Sequence, residues 1–172
     1  HGTVIPSSLY VNLVDKDVRR WLLERKFSLQ LLRQFTELRV SIEPKGAELA
    51  ARNATYEDLQ RMKAAFQRMA EAEHGHGDPT QADIDFHISI LLASGNPFYY
   101  QFQELIRTAL QTSIKFTTRI NKVTPNLVAH ENIMKAIFDR DTKRAYAAMH
   151  LIVNDVLDVI HAQEEVNRLG GQ

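Results

Sequence analysis

The sequence predicts an all-α protein, an antiparallel bundle of about six to seven helices. Three observations carry this. Apolar residues recur at steps of three and four along most of the chain. Side chains that cap helices, several followed directly by proline, mark successive helix starts. Strand signals are nearly absent after residue 14.

Residues 1–14 are the least helical. Val4 and Ile5 before Pro6-Ser7-Ser8 read as the end of a strand and a linker. Val18, Trp21 and Leu22 then give a short amphipathic helix ending near Lys26. Ser28 caps a longer helix to about Ala51, with an inner stripe of Leu32, Phe35, Leu38, Arg39, Ile42 and Gly46. Pro44 lies inside it, removes one backbone hydrogen bond, and is expected to kink or split it near Glu43. Thr55 with Asp58 forms a capping box that opens a helix to about Glu73. The stretch His74-Gly75-His76-Gly77 is a loop. Asp78-Pro79, Asn96-Pro97 and Thr124-Pro125 each offer a cap and a proline at the first helical position, and Asp78 has Gln81 three residues on. Gly95 suits a left-handed helix end. Asp141 precedes the last helix, whose inner stripe is Ala145, Ala148, Met149, Ile152, Val156, Val159 and Ile160. The tail 170–172 should fray. Short connections favour antiparallel neighbours.

Composition narrows the function. The 172 residues suffice for one domain with its own core. Hydrophobic residues make up 44% and charged residues 24%, which argues against disorder. Lys plus Arg and Asp plus Glu both number 21, so there is no excess of phosphate-seeking charge. The absence of cysteine excludes disulfides, thiolate metal sites and cysteine nucleophiles. No apolar run approaches a membrane span. The opening His1-Gly2-Thr3 suggests a chain cut from something longer.

Four positions could carry chemistry. Asp83 and His87 are four apart and share a helix face. They make either half of a metal site or a plain carboxylate–histidine hydrogen bond. His130 sits among Leu127, Ile133, Met134 and Ile137, where a satisfied core histidine is the plain alternative to a ligand. His150 lies two residues from Ile152, a rotation of about 200°, so Ile152 points inward and His150 away. Arg39 occupies the apolar stripe, where a guanidinium needs a carboxylate or an anionic ligand. Glu43 is the nearby partner and an anionic effector the other. Hydrolase, metalloprotease and phosphate-loop motifs are absent.

Four segments in order resemble a known family: 39–51 (Arg39-Val-Ser-Ile-Glu43-Pro44), Asp83-Ile-Asp-Phe-His87 with Ala93-Ser-Gly-Asn96-Pro97, His130-Glu-Asn-Ile133 with Ala136-Ile137, and Asp141 with Ala145 and Met149. The chain is similar to the C-terminal ligand-sensing domain, the FCD domain, of the FadR subfamily of GntR transcription regulators. The stretch 12–21 is similar to sugar-acid regulators of the galactonate type. The resemblance implies that residues 1–14 are the end of a winged-helix DNA-binding domain and linker. It makes 15–172 the helical effector-binding and dimerisation domain. It also implies a divalent metal, zinc or similar, held by one Asp and three His. Asp83, His87 and His130 match three ligands, and the fourth falls at Ile152, which cannot ligate. It further implies Arg39 as an effector carboxylate clamp and places Asn96 at the same cavity.

The expected function is therefore a sensor rather than an enzyme. It would bind a small organic acid, a sugar acid being one class, with metal assistance. It would act as a cytoplasmic homodimer with no membrane contact, and reach DNA through an N-terminal domain missing from this chain. The alternatives are a metal-dependent hydrolytic enzyme with a three-ligand site, for which Asp85 is the only nearby base, and a dimerisation module with a vestigial pocket.

Overall fold

Helix α1, Leu29–Asn53, is the spine of the bundle in a computed structural model that describes residues 29–121 and 126–170. After it come α2 (Tyr56–Glu73), α3 (Pro79–Ala93), α4 (Pro97–Gln101), α5 (Gln103–Asn121), α6 (Leu127–Phe138) and α7 (Thr142–Gly170). Among the described residues there is no strand. The expected strand end at Val4-Ile5, the short helix before Lys26, the Ser28 cap, the Thr124-Pro125 start and residues 171–172 lie outside them.

Most helix starts follow the capping chemistry. Thr55 accepts from the Asp58 amide while the Asp58 carboxylate accepts from the Thr55 amide, closing the box that opens α2. Asp78 accepts from the amides of Thr80 and Gln81. Gln81 does not complete a reciprocal box, because its side chain donates to Asp85 instead. Asn96 caps α4 through the Phe98 amide, with Gly95 left-handed before it at φ 68°. Asp141 accepts from the Arg144 amide at the start of α7. The cap of α6 is Asn126, which accepts from the Ala129 amide and opens the helix at Leu127.

Pro44 does not split α1, which runs unbroken through it. The proline lacks the N–H that would bond the Val40 carbonyl. A side-chain bridge from Arg39 to Glu43 spans that same turn.

α1 packs chiefly against α7, α2 against α3, and α6 against α7, with α3 also lying against α1 and α5. Ten of the fifteen residues of α3 are buried, as befits a helix apolar on nearly all sides. One side of α3 puts Phe86 and Ile90 into the main core with Met62, Ile133 and Met149. The other puts Ile84, Ile88 and Leu91 against Ile106 and Leu110 of α5. Gly46 permits the close approach of α1 to α3, since a Cβ there would stand 3.2 Å from Leu91 Cδ2. The α6–α7 turn holds Arg140 at φ 57°, and its guanidinium donates to the Ala51 and Ala54 carbonyls at the end of α1.

The inner stripes differ in detail from expectation. In α1, Leu38 and Ile42 are only partly buried, while Thr36, Glu43, Ala47, Ala50 and Ala51 are buried. In α7 the deep positions are Ala145, Met149, Val153 and Ile160, with Ile152 half-buried beside them. Of the aromatics after Asn96, Tyr99 packs on the second core and Phe98 is exposed.

Truncating Met149 to Ala in the fully buried core should cost about 2–5 kcal/mol. Removing the α2 cap with Thr55→Ala should cost about 1 kcal/mol. Urea denaturation should rank the two midpoints in that order below the parent protein.

Candidate metal centre

Ionisable side chains meet where α1, α3 and α6 cross. Arg39, Glu43, Asp83, His87 and His130 are all buried there. Asp83 and His87 come together because α3 places them one turn apart, with Asp83 Oδ1 3.3 Å from His87 Nε2. His130, 47 residues further on, brings its Nε2 to 3.0 Å from the same oxygen. The three candidate ligand atoms lie within 4.8 Å of one another.

The far side of each ring is also occupied. His130 Nδ1 lies 2.7 Å from the Asn126 carbonyl, and His87 Nδ1 bonds Glu43 Oε1. A carbonyl can only accept, and so can an ionised carboxylate, so both Nδ1 atoms donate. Both Nε2 atoms are then turned toward Asp83. Phe86, fully buried, sets its ring edge-on to both imidazoles, with centroids 6.0 and 5.4 Å away.

Glu43 has a second partner. Its Oε2 accepts from Arg39 Nε at 2.5 Å, and Arg39 Nη1 reaches Ser113 Oγ of α5 at 3.5 Å. Glu43, expected only as a local partner of Arg39, thus joins Arg39 to His87. Asn96 is not joined to this group: its side-chain oxygen caps α4 and its amide donates to Ser94. His150 stacks on Tyr146 at the edge of α7 and stands outside the three-residue cluster. Ile152, on the same helix, packs against the main core. Asp85 faces Gln81 and Arg68.

The electrostatics follow from burial and pairing. Burial alone would raise the Glu43 pKa, but the Arg39 and His87 charges outweigh it and hold the carboxyl at about 2. Burial opposes the Asp83 charge too, and the His130 and His87 rings beside it keep its carboxyl well below the ordinary range. For His87, burial favours the neutral ring, but Glu43 and Asp83 raise it to about 9. Two carboxylates thus balance Arg39 and a protonated His87.

This balance dictates a pH dependence for chelator-treated protein. The carboxylate contribution is complete above the ordinary value of 4.5 for Glu43 and fades as pH falls toward about 2. The His87 contribution is complete below 6.5 and fades as pH rises through about 9. The urea midpoint should be highest between about pH 5 and 6.5 and should fall on both sides. A midpoint that stays level from pH 6.5 to 9 would show that His87 is uncharged in the folded protein.

Comparison with known proteins places the chain. The FCD domain family profile matches residues 34–155. The galactonate operon transcriptional repressor of Escherichia coli is 29% identical over 147 residues, covering 83% of this chain and 64% of its own. The HTH-type transcriptional regulator LutR of Bacillus subtilis is 28% identical over 142 residues, covering 79% and 65%. The chain therefore spans a little under two thirds of these relatives. Among solved structures, Streptococcus agalactiae GntR superposes with a TM-score of 0.68 at 26% identity, covering 84% of this chain and 65% of that one. E. coli McbR/YncC shares the fold with a TM-score of 0.66 at 16% identity, covering 86% and 80%. With most of its length matched, the chain belongs to the FCD domain family, found at the C-terminus of FadR-like GntR regulators.

Proposed function

We propose that the chain is the effector-sensing domain of a bacterial transcription regulator and binds a small organic acid at a metal-assisted site. The observation that carries this reading is the convergence of Asp83 Oδ1, His87 Nε2 and His130 Nε2 within 4.8 Å in a buried setting. One carboxylate and two imidazoles suit zinc or a similar divalent cation. A bound cation would supply an electrophilic centre able to take a carboxylate or hydroxyl oxygen. Asp83, His87 and His130 would hold it, leaving coordination positions for the effector, because the position matching the family's fourth ligand is Ile152.

Charge favours an acid as the effector. The metal-free group is balanced. Exchanging the His87 proton for a divalent cation leaves one net positive charge in a buried place, and an anion restores the balance. Arg39 is the proposed carboxylate clamp. Its guanidinium carries five N–H donors, more than Glu43 and Ser113 take up. Asn96 is a proposed effector contact, in addition to capping α4. A sugar acid is the class favoured by likeness to a repressor named for a galactonate operon.

The remaining parts belong to the whole regulator. Residues 1–14 would close a winged-helix domain that contacts DNA, and 15–172 would sense and dimerise. Effector binding would shift the homodimer between two arrangements and so change DNA affinity in the cytoplasm. None of the helices among the described residues is long and apolar enough to cross a membrane. Asp85, the base that a hydrolytic reading requires, is turned to Arg68 and Gln81 rather than to Asp83.

Protein purified without chelator should carry about one divalent metal per chain and lose it in His87→Ala. Metal analysis checks this, and equal content in both proteins would remove His87 from the site. In the zinc-loaded protein, a sugar acid or short hydroxy acid at about 100 times its Kd should stabilise the fold by about 2.7 kcal/mol. A thermal-shift panel should find such an acid, and Arg39→Ala should lose most of the shift. A panel with no hit, with or without zinc, would count against the sensor.

A further inference from the structure

We infer that Glu43 is a positioning residue for the metal centre, fixing the His87 ring so that Nε2 is the atom offered to a cation. The inference rests on the proposed metal site and names a group outside the three ligands. Glu43 lies 44 residues from His87 in sequence, on a different helix, and both side chains are buried. Its two oxygens are divided between two donors, Oε2 taking Arg39 Nε and Oε1 taking His87 Nδ1.

The division matters because Arg39 has no acceptor to offer. It therefore holds an oxygen of residue 43 toward itself and leaves the other facing His87. A carboxylate there accepts only, so the proton of a neutral His87 ring must sit on Nδ1. The Nε2 lone pair is then free on the side where Asp83 and His130 converge. His130 gains the same orientation from the Asn126 carbonyl, which is backbone and survives any substitution at that position. Only the His87 orientation depends on a replaceable side chain. Partners of this kind typically change metal affinity 10–100-fold.

The substitution Glu43→Gln separates this role from mere packing. The glutamine must keep its carbonyl toward Arg39, so its NH2 faces His87 Nδ1 and demands an acceptor there. The ring proton is driven to Nε2, the atom that the metal needs. Zinc titration of the full chain should show affinity about 10–100-fold below the parent. Glu48→Gln, at a half-buried position of the same helix where the carboxylate pairs with Lys45, should match the parent. Long-range proton–nitrogen spectra should find His87 Nδ1 protonated in the metal-free parent and bare in metal-free Glu43→Gln, a change that loss of packing alone does not cause.

Parent-like zinc affinity in a folded Glu43→Gln protein, or a ring proton remaining on Nδ1, would overturn the inference while leaving the metal site standing. A parent protein that binds zinc no better than Asp83→Ala would overturn both. If Glu43→Gln does not fold, Glu43→Asp keeps the charge beside Arg39 and draws the acceptor back by one methylene. Weakened zinc binding in that folded variant supports the inference, and parent-like binding overturns it.

Discussion

A carboxylate shared between a guanidinium and an imidazole is the constraint around which this bundle is built. Glu43 has almost no contact with solvent, and neither do Arg39 and His87. Each would be expensive to bury alone. Together they form a connected chain from Ser113 through Arg39, Glu43, His87 and Asp83 to His130. That chain ties α5, α1, α3 and α6 to one arrangement, because loss of one member leaves its neighbour charged and unpaired. The apolar packing on both sides of α3 can tolerate exchange of similar volumes. The polar chain cannot, since its hydrogen bonds have fixed partners and directions.

The same chain explains how a folded core can hold a site for a cation. Ionisable groups in a hydrophobic interior usually pair off completely. Here the Nδ1 atoms are taken by Glu43 and the Asn126 carbonyl, while both Nε2 atoms are directed at a single oxygen of Asp83. In the metal-free form a proton on His87 satisfies that oxygen. The proposed divalent cation would occupy the same side, where the three candidate ligands are already oriented. Phe86 closes one wall against both rings and limits their rotation. Pro44 lies beside Glu43 at a turn lacking one backbone bond, where the Arg39–Glu43 bridge supplies a side-chain link.

Ile152 separates this chain from a four-ligand arrangement. It sits half-buried against the main core, one residue before the fully buried Val153. An isoleucine there adds packing where a histidine would add a ligand. In the sensor proposed above, coordination would be left open to the effector, so that an acid able to chelate would gain more than one that cannot. Arg39, the proposed clamp, would add a second point of attachment with a defined planar geometry.

The sequence alone determined the helical class, most of the caps, and the pairing of Asp83 with His87, because these depend on residues within four positions of each other. Thr55 with Asp58, Asp78 before Pro79 and Gly95 before Asn96 are local chemistry of this kind. Arg39 with Glu43 was legible for the same reason, and family likeness rather than spacing raised His130 above the alternative of a plain core histidine. The depth order along α7 was not legible. Steps of three and four are both compatible with one face, and only the facing helices decide that Val153 goes deeper than Ile152. What only the tertiary structure decided is the company of each polar group. That the second oxygen of Glu43 meets His87, and that His130 reaches Asp83, follows from how α1, α3 and α6 cross. Contacts between residues more than 40 positions apart are set by packing of whole helices, and no local period encodes them.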